Sequence, residues 1–332
     1  MSVFDAHDFD DHEQVTFCHD RNSGLKAVIA IHNTNLGPAL GGCRFWPYAS
    51  ESEAIKDVLR LSRGMTYKAA LADLQLGGGK AVIIGDPAKD KTVEKLRAFG
   101  RFVQRLHGLY ITAEDVGTTP KDMSTIYEET RYVVGRETHE GGSGDPSVLT
   151  AFGVFTGIRA CAYYKMGKED LSGVRVAVEG LGHVGLDLVK RLSEAGASLV
   201  VTDINQPLLE KVSRQYGAQA VGVEEIFSAD VDVFAPCALG GILNDATIPR
   251  LKCQIVAGSA NNQLAESYHA KILEKRGILY APDYLINSGG LINVSYEGPK
   301  YNLQEVMTHV GKIYYTLLEI FEAAKAHSIT TS

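Results

Sequence analysis

Val174-Arg175-Val176-Ala177-Val178-Glu179-Gly180-Leu181-Gly182-His183-Val184-Gly185 is the stretch whose reading decides the fold. A valine-rich apolar run reads as a buried strand, and three glycines follow it in the pattern GxGxxG. Gly185, Leu188, Val189 and Leu192 then recur at i, i+3, i+4 and i+7, one face of a helix that stops at Gly196. A second strand ends at Asp203, 18 residues after Gly185. In that order the glycines differ in what they permit. Gly180 allows the tight turn, Gly182 admits a pyrophosphate to the backbone, and Gly185 lets helix and strand pack closely. Leu181, His183 and Val184 space the turn and would meet a cofactor mainly through their backbone. The pyrophosphate would rest on the free N–H groups of the helix start. The Asp203 carboxylate would accept from both ribose hydroxyls and repel a 2′-phosphate. No arginine follows it in Ile204-Asn205-Gln206, so the expected cofactor is NAD rather than NADP. A plain glycine turn with a helix-capping aspartate explains each residue singly, but not the agreement of strand, glycines, helix and acid.

Outward from this turn, strands read near 174–178, 199–202, 218–221, 231–234, 255–257 and 278–280, alternating with helical patterns. Such alternation predicts a parallel sheet covered by helices on both faces. A helix at 148–164 precedes it and an amphipathic helix at 303–326 follows. Upstream, strands at 25–31, 81–84 and 110–112 alternate with helices at 51–71 and 93–106. The cluster Gly141-Gly142-Ser143-Gly144-Asp145-Pro146 is loop chemistry at mid-chain and reads as an interdomain hinge, with Ser147 as a helix cap. The fold class is therefore α/β with two domains, the second a Rossmann-type doubly wound NAD-binding domain at 147–300. The first spans 1–140, and 301–332 is expected to pack back towards it.

Composition permits this and narrows the alternatives. The 332 residues carry 33 Lys+Arg and 40 Asp+Glu, a formal charge of −7, which gives nucleic acid no basic stripe to bind. The start is acidic rather than signal-like, and no run of 18 apolar residues suggests a membrane span, so a cytoplasmic protein is expected. Cys18, Cys43, Cys161, Cys237 and Cys253 are odd in number and scattered; neither a disulfide framework nor a metal site is expected.

The chemistry-bearing cluster lies upstream, in Gly64-Met65-Thr66-Tyr67-Lys68 and Gly77-Gly78-Gly79-Lys80. A P-loop would need glycine at 74 and a hydroxyl at 81, where Leu74 and Ala81 stand. The glycines are expected instead to fold backbone around a small ligand and fix the lysine. A partly desolvated lysine near another cation loses affinity for its proton and becomes a usable base. Lys68 is the candidate second cation, and Asp115, on a loop after a strand, the candidate acidic partner.

The stretch from Leu74 to Pro87, LQLGGGKAVIIGDP, resembles the active-site signature of the glutamate/leucine/phenylalanine/valine dehydrogenases, most nearly the leucine branch. The likeness extends through LGPALGG from Leu36, TAEDVGT from Thr112, FAPCALGG from Phe234, GSANNQL from Gly258 and APDYLIN from Ala281. It implies that Lys80 is the catalytic lysine and Asp115 its partner, and that the first domain binds substrate and builds a homo-oligomer, dimer to octamer. Lys68 would hold the substrate carboxylate and Asn262 would close over the substrate. Leu40, Ala113, Leu291 and Val294 would line the side-chain pocket, with Gly41 and Met65 also at the substrate. Thr150 and Asn261 would lie near the nicotinamide, and Ala235, Cys237 and Ala238 beside the cofactor. The family ordinarily has proline where Val148 stands, and a further helix after the position of Ser332. The implied reaction is reversible oxidative deamination of an apolar L-amino acid to its 2-oxo acid, ammonia and NADH. A branched aliphatic side chain is favoured, with phenylalanine or tryptophan as the alternative. An NAD-binding regulator without turnover would have no need of Lys68, Lys80 and Asp115 together.

Overall fold

The computed structural model describes residues 3–137, 139 and 141–332. They divide into two compact units, the first holding Met1–Pro146 with Leu291–Asn302 and the second Ser147–Gly290 with Leu303–Ser332.

The first unit is built on a mixed sheet of β1 (Gln14–Asp20), β2 (Leu25–Asn33), β3 (Ala39–Trp46), β4 (Gly77–Ile84) and β5 (Tyr110–Glu114), in the order β1-β2-β4-β3-β5. The β1/β2 and β2/β4 pairs are antiparallel, whereas β3 runs parallel to both β4 and β5. Helix α1 (Glu51–Leu71) covers one face, and α2 (Val93–Arg105) and α3 (Pro120–Tyr127) serve the other. Because strand side chains alternate, each strand feeds two cores. Val28, Ala30 and Val82 join Ala54, Val58 and Leu59 of α1. Ile29, Ile31, Cys43, Phe45, Ala81 and Ile83 join Leu96, Phe99, Met123 and Ile126 of α2 and α3. Gly78, Lys80 and Val82 therefore share the α1 face of β4.

The second unit begins with α4 (Ser147–Met166) and contains β6 (Arg175–Glu179), α5 (His183–Glu194), β7 (Ser198–Thr202), α6 (Gln206–Tyr216), β8 (Gln219–Ala220), β9 (Val233–Pro236), β10 (Ile255–Val256), α7 (His269–Lys275), β11 (Leu279–Tyr280) and α8 (Asp283–Ile286). All six strands are parallel, in the order β11-β10-β9-β6-β7-β8. That is the order of a doubly wound dinucleotide-binding sheet, reversing between β6 and β9. The strand–helix alternation read from the sequence is present throughout. Helix α9 (Gly289–Ser295) starts in this unit, and its residues from Leu291 belong to the first. Helices α10 (Leu303–Gly311) and α11 (Ile313–His327) complete it.

The sequence reading needs three corrections. Residues 291–302 join the first unit rather than the domain expected at 147–300. The single helix expected at 303–326 is two, interrupted at Lys312, and both belong to the second unit rather than returning to the first. They lie on α4, where Gly153 and Gly157 are small enough to admit Ile313 and Leu317. Helix α4 is consequently apolar on more than one side, as a helix enclosed on both faces must be. Finally, the glycine cluster after Gly141 is anchored: Ser143 donates through its amide and its hydroxyl to Glu297 Oε2 at 3.0 and 2.9 Å, within the first unit. Among the described residues, no helix is long and apolar enough to cross a membrane.

Candidate active site

In the first unit the candidate site is assembled on the α1 face of the sheet. Lys80, in the middle of β4, is 5% exposed. Its Nζ lies 3.1 Å from Oδ1 of Asp115, the residue that follows β5. The GGG run is not a loop around a ligand but the start of β4, and its glycines serve packing. A Cβ at Gly78 would lie 2.1 Å from Thr66 Oγ1 and 2.6 Å from the Ser62 carbonyl of α1; one at Gly79 would lie 2.8 Å from the Tyr110 ring. The strand is squeezed from both faces, so α1, with Met65 and Lys68 one turn apart, is drawn onto the strand that carries Lys80. Lys68 and Met65 are partly buried. On β3, Gly41 and Gly42 admit the backbone of Gly79 and the Asp115 side chain, whose Cβ would lie 2.8 Å from a Cβ at Gly42.

Asp115 has a second cation that the sequence reading missed. Arg44 donates from Nε to Asp115 Oδ2 at 2.8 Å and from Nη1 to Asp57 Oδ2 at 2.9 Å; Tyr48 Oη donates to the same Asp57 oxygen at 2.6 Å. Burial pushes the Asp115 carboxyl up, but Lys80 and Arg44 outweigh it and hold the carboxyl below its ordinary value. The one available signal was an arginine inside the otherwise uncharged strand ALGGCRFW.

The apolar candidates gather in the same unit. Leu40 and Ala113 sit on neighbouring strands, 2% and 8% exposed, while Leu291 and Val294 are one turn apart on α9 and also buried. Glu114 points to the other face of β5 from Ala113 and Asp115, and burial, with Asp145 and Asp115 nearby, pushes its carboxyl up to about 7. Against an ordinary value of 4.5, ionised Glu114 disfavours the folded state. The cost is absent below about pH 4.5, grows between 4.5 and 7, and is complete above 7. Solvent screening of this half-buried group reduces the cost to about 1–2 kcal/mol. Glu114→Gln is therefore expected to be more stable than wild type towards urea at pH 8.5 and to lose that advantage at pH 4.5; equal differences at both pH values would refute the assignment.

In the second unit the glycine turn has the expected geometry. Gly180 has φ +94, and a Cβ there would strike Ala238 across the point where strand order reverses. A Cβ at Gly185 would lie 2.0 Å from the Gly180 carbonyl, whereas one at Gly182 would meet nothing within 4 Å. Gly182 is also the N-cap of α5 and provides no side-chain cap, leaving the helix N–H groups of His183 and Val184 for an anion. Asp203 accepts the Leu181 amide on Oδ2 at 2.6 Å and the Asn205 amide on Oδ1 at 2.7 Å, tying the turn to the end of β7. Each oxygen keeps a lone pair for a ribose hydroxyl.

Four buried polar atoms without hydrogen-bond partners also belong to this unit: Glu179 Oε2 at the end of β6, Gln263 Oε1, Asn287 Oδ1 and Ser288 Oγ. Buried polar atoms are rarely left unsatisfied, and these fit a polar ligand at the carboxyl ends of the strands. Asn287 Nδ2 donates to Asn261 Oδ1 at 2.8 Å. Asn262 is exposed with φ +51, a left-handed conformation that asparagine tolerates. Ala235 is buried in β9, and burial pushes the neighbouring Cys237 thiol up to about 11, so it is a neutral group. Thr150 lies in the first turn of α4, its Cα 3.1 Å from where a Cβ on Gly289 would stand. The cofactor candidates thus fall in the second unit, and the substrate candidates, Asn262 excepted, in the first.

A doubly wound nucleotide-binding unit, in one chain with a unit bearing a buried lysine–aspartate pair, defines a dinucleotide-dependent dehydrogenase. Residues 12–132 match the Glu/Leu/Phe/Val dehydrogenase dimerisation domain, and 205–331 match the Glutamate/Leucine/Phenylalanine/Valine dehydrogenase domain. Leucine dehydrogenase of Thermoactinomyces intermedius is 56% identical over 99% of this chain and 90% of its own length. Phenylalanine dehydrogenase of Caldalkalibacillus thermarum is 51% identical over 100% and 91%. The crystal structure of L-tryptophan dehydrogenase from Nostoc punctiforme superposes with a TM-score of 0.83 at 52% identity, covering 97% of this chain and 92% of that one. The chain belongs to the Glu/Leu/Phe/Val dehydrogenase family of amino acid dehydrogenases.

Proposed function

We propose that this protein catalyses the NAD-dependent, reversible oxidative deamination of an apolar L-amino acid, with a branched-chain substrate such as leucine preferred. The observation that carries the reading is the buried Lys80–Asp115 pair, 3.1 Å apart, in the unit that also holds the apolar Leu40, Ala113, Leu291 and Val294. Such a lining offers no counter-charge to a side-chain carboxylate, which disfavours glutamate.

Lys68 holds the substrate carboxylate, the apolar residues hold its side chain, and Asn262 covers it. Nicotinamide, when bound, accepts the hydride from Cα. As hydride leaves, Asp115 takes a proton from the substrate ammonium, and an iminium forms. Lys80, in its amine form, takes a proton from a water molecule that attacks the iminium carbon; collapse releases ammonia and the 2-oxo acid. Gly180, Gly182 and Gly185 with the start of α5 hold the pyrophosphate, Asp203 the adenosine ribose, and Thr150 and Asn261 the nicotinamide end. Asp203 selects NAD by repelling a 2′-phosphate. Assembly into a homo-oligomer through the first unit is supported by its edge strand β1, which exposes Phe17.

Aromatic substrates are the second reading, favoured by the phenylalanine and tryptophan dehydrogenases among the relatives. Apolar pockets separate substrates by only a few kcal/mol, so the test is a comparison. With NAD, kcat/KM should fall in the order leucine, valine, then phenylalanine and tryptophan, by about tenfold or more between the aliphatic and aromatic pairs. An aromatic preference would overturn the substrate assignment, and equal turnover with NADP would overturn the cofactor assignment.

A further inference from the structure

Resting on this reading of the site, we propose that Arg44 is a positioning residue that holds Asp115 as a carboxylate with one oxygen turned to Lys80. Its guanidinium takes Asp115 Oδ2 from one side, at 2.8 Å, while Oδ1 faces Lys80 at 3.1 Å. Arg44 cannot swing away, because Asp57 of α1 holds its Nη1 at 2.9 Å and is itself held by Tyr48 at 2.6 Å.

The need for such a group follows from the charge arithmetic of the reaction. While Lys80 is an ammonium, Asp115 has a counter-charge at hand. When Lys80 takes the amine form, ready to accept a proton from water, that counter-charge is gone. A carboxylate with only 16% of its side chain exposed would then stand alone in a poorly hydrated place and would bind a proton. A guanidinium keeps its charge at every working pH. Arg44 therefore supplies the cation that does not change through the cycle, leaving Lys80 free to gain and lose its proton.

The other groups facing Asp115 do not replace it. Cys43 of β3 and Tyr110 of β5 have their protons held on by burial, with Asp115 adding to the effect. Glu114, next in sequence, and Asp57, beyond Arg44, can only add negative charge. Tyr48 is likewise kept neutral by burial and its bond to Asp57.

Arg44→Met, Arg44→Lys and Asp57→Asn, each measured from pH 5 to 10, separate charge from orientation. Arg44→Met should lower kcat by about 10²-fold and move the acid limb of kcat upward by at least about one pH unit, with KM and the Kd for NADH changed less than about threefold. Arg44→Lys keeps the charge but cannot reach both carboxylates, so the limb should stay in place while kcat falls about tenfold. Asp57→Asn should lower kcat without raising the limb. A folded Arg44→Met enzyme with an unmoved limb overturns the proposal; should that variant not fold, full kcat in Arg44→Lys overturns it equally. Absence of amino acid oxidation by the wild type would instead overturn the site reading on which this one rests.

Discussion

Replacement of Lys80 by alanine is expected to lower kcat/KM for the amino acid about 10³-fold, the middle of the range for loss of a positioned base, while the Kd for NADH stays within about twofold. The two halves of that expectation have different origins. Turnover falls because the amine 3.1 Å from Asp115 is the only group in the proposed mechanism that activates water. Cofactor affinity persists because the glycine turn, Asp203 and α5 belong to the other unit. The fold should also persist: deletion leaves Asp115 paired with Arg44 at 2.8 Å rather than as an uncompensated buried charge. Lys80→Arg should not restore activity, since a guanidinium cannot become a neutral base. Wild-type turnover in Lys80→Ala, measured by NADH appearance with leucine, would end the mechanism.

The second unit was legible in the sequence because its signals are local. The valine strand, the spaced glycines and the terminal aspartate lie within 30 residues, and each strand of the parallel sheet is buried on both faces and reads as an apolar run. The first unit was less legible for the same physical reasons. Strand β1 is an edge with polar Gln14, Thr16 and His19 facing outward in part, and β3 carries two glycines and an arginine, so neither shows a clean apolar period. The GGG run suggested a loop, since glycine weakens an isolated strand; its explanation lies in α1 and Tyr110, which approach from 11 residues upstream and over 30 downstream. Arg44 became visible only when β3 and β5 were found side by side, placing it against Asp115. The return of residues 291–302 to the first unit rests on tertiary packing that no local pattern records.

Gly78→Ala carries the largest expected effect on stability, and it tests whether close approach of α1 to β4 builds the site. A Cβ there would lie 2.1 Å from Thr66 Oγ1, 2.2 Å from the Thr66 amide nitrogen and 2.6 Å from the Ser62 carbonyl. The hydroxyl could rotate aside, but two of the three atoms are helix backbone, so strand or helix must move. Overpacking of this kind costs about 3 kcal/mol, equivalent to a Tm lower by roughly 6–12 °C in a domain of this size. The displacement would fall on Thr66, between Met65 and Lys68. The KM for the amino acid should therefore rise at least about tenfold, the loss of ~1.4 kcal/mol of binding, while the Kd for NADH is unchanged. Gly64→Ala is the matching control, on the same helix, where an added Cβ meets nothing within 4 Å. There the usual helical preference for alanine should apply, stabilising the protein by up to about 1 kcal/mol. If the two variants melted and bound substrate alike, the glycines of β4 would not be spacers, and contact between α1 and the lysine strand would not be what sets the distance between Lys68 and Lys80.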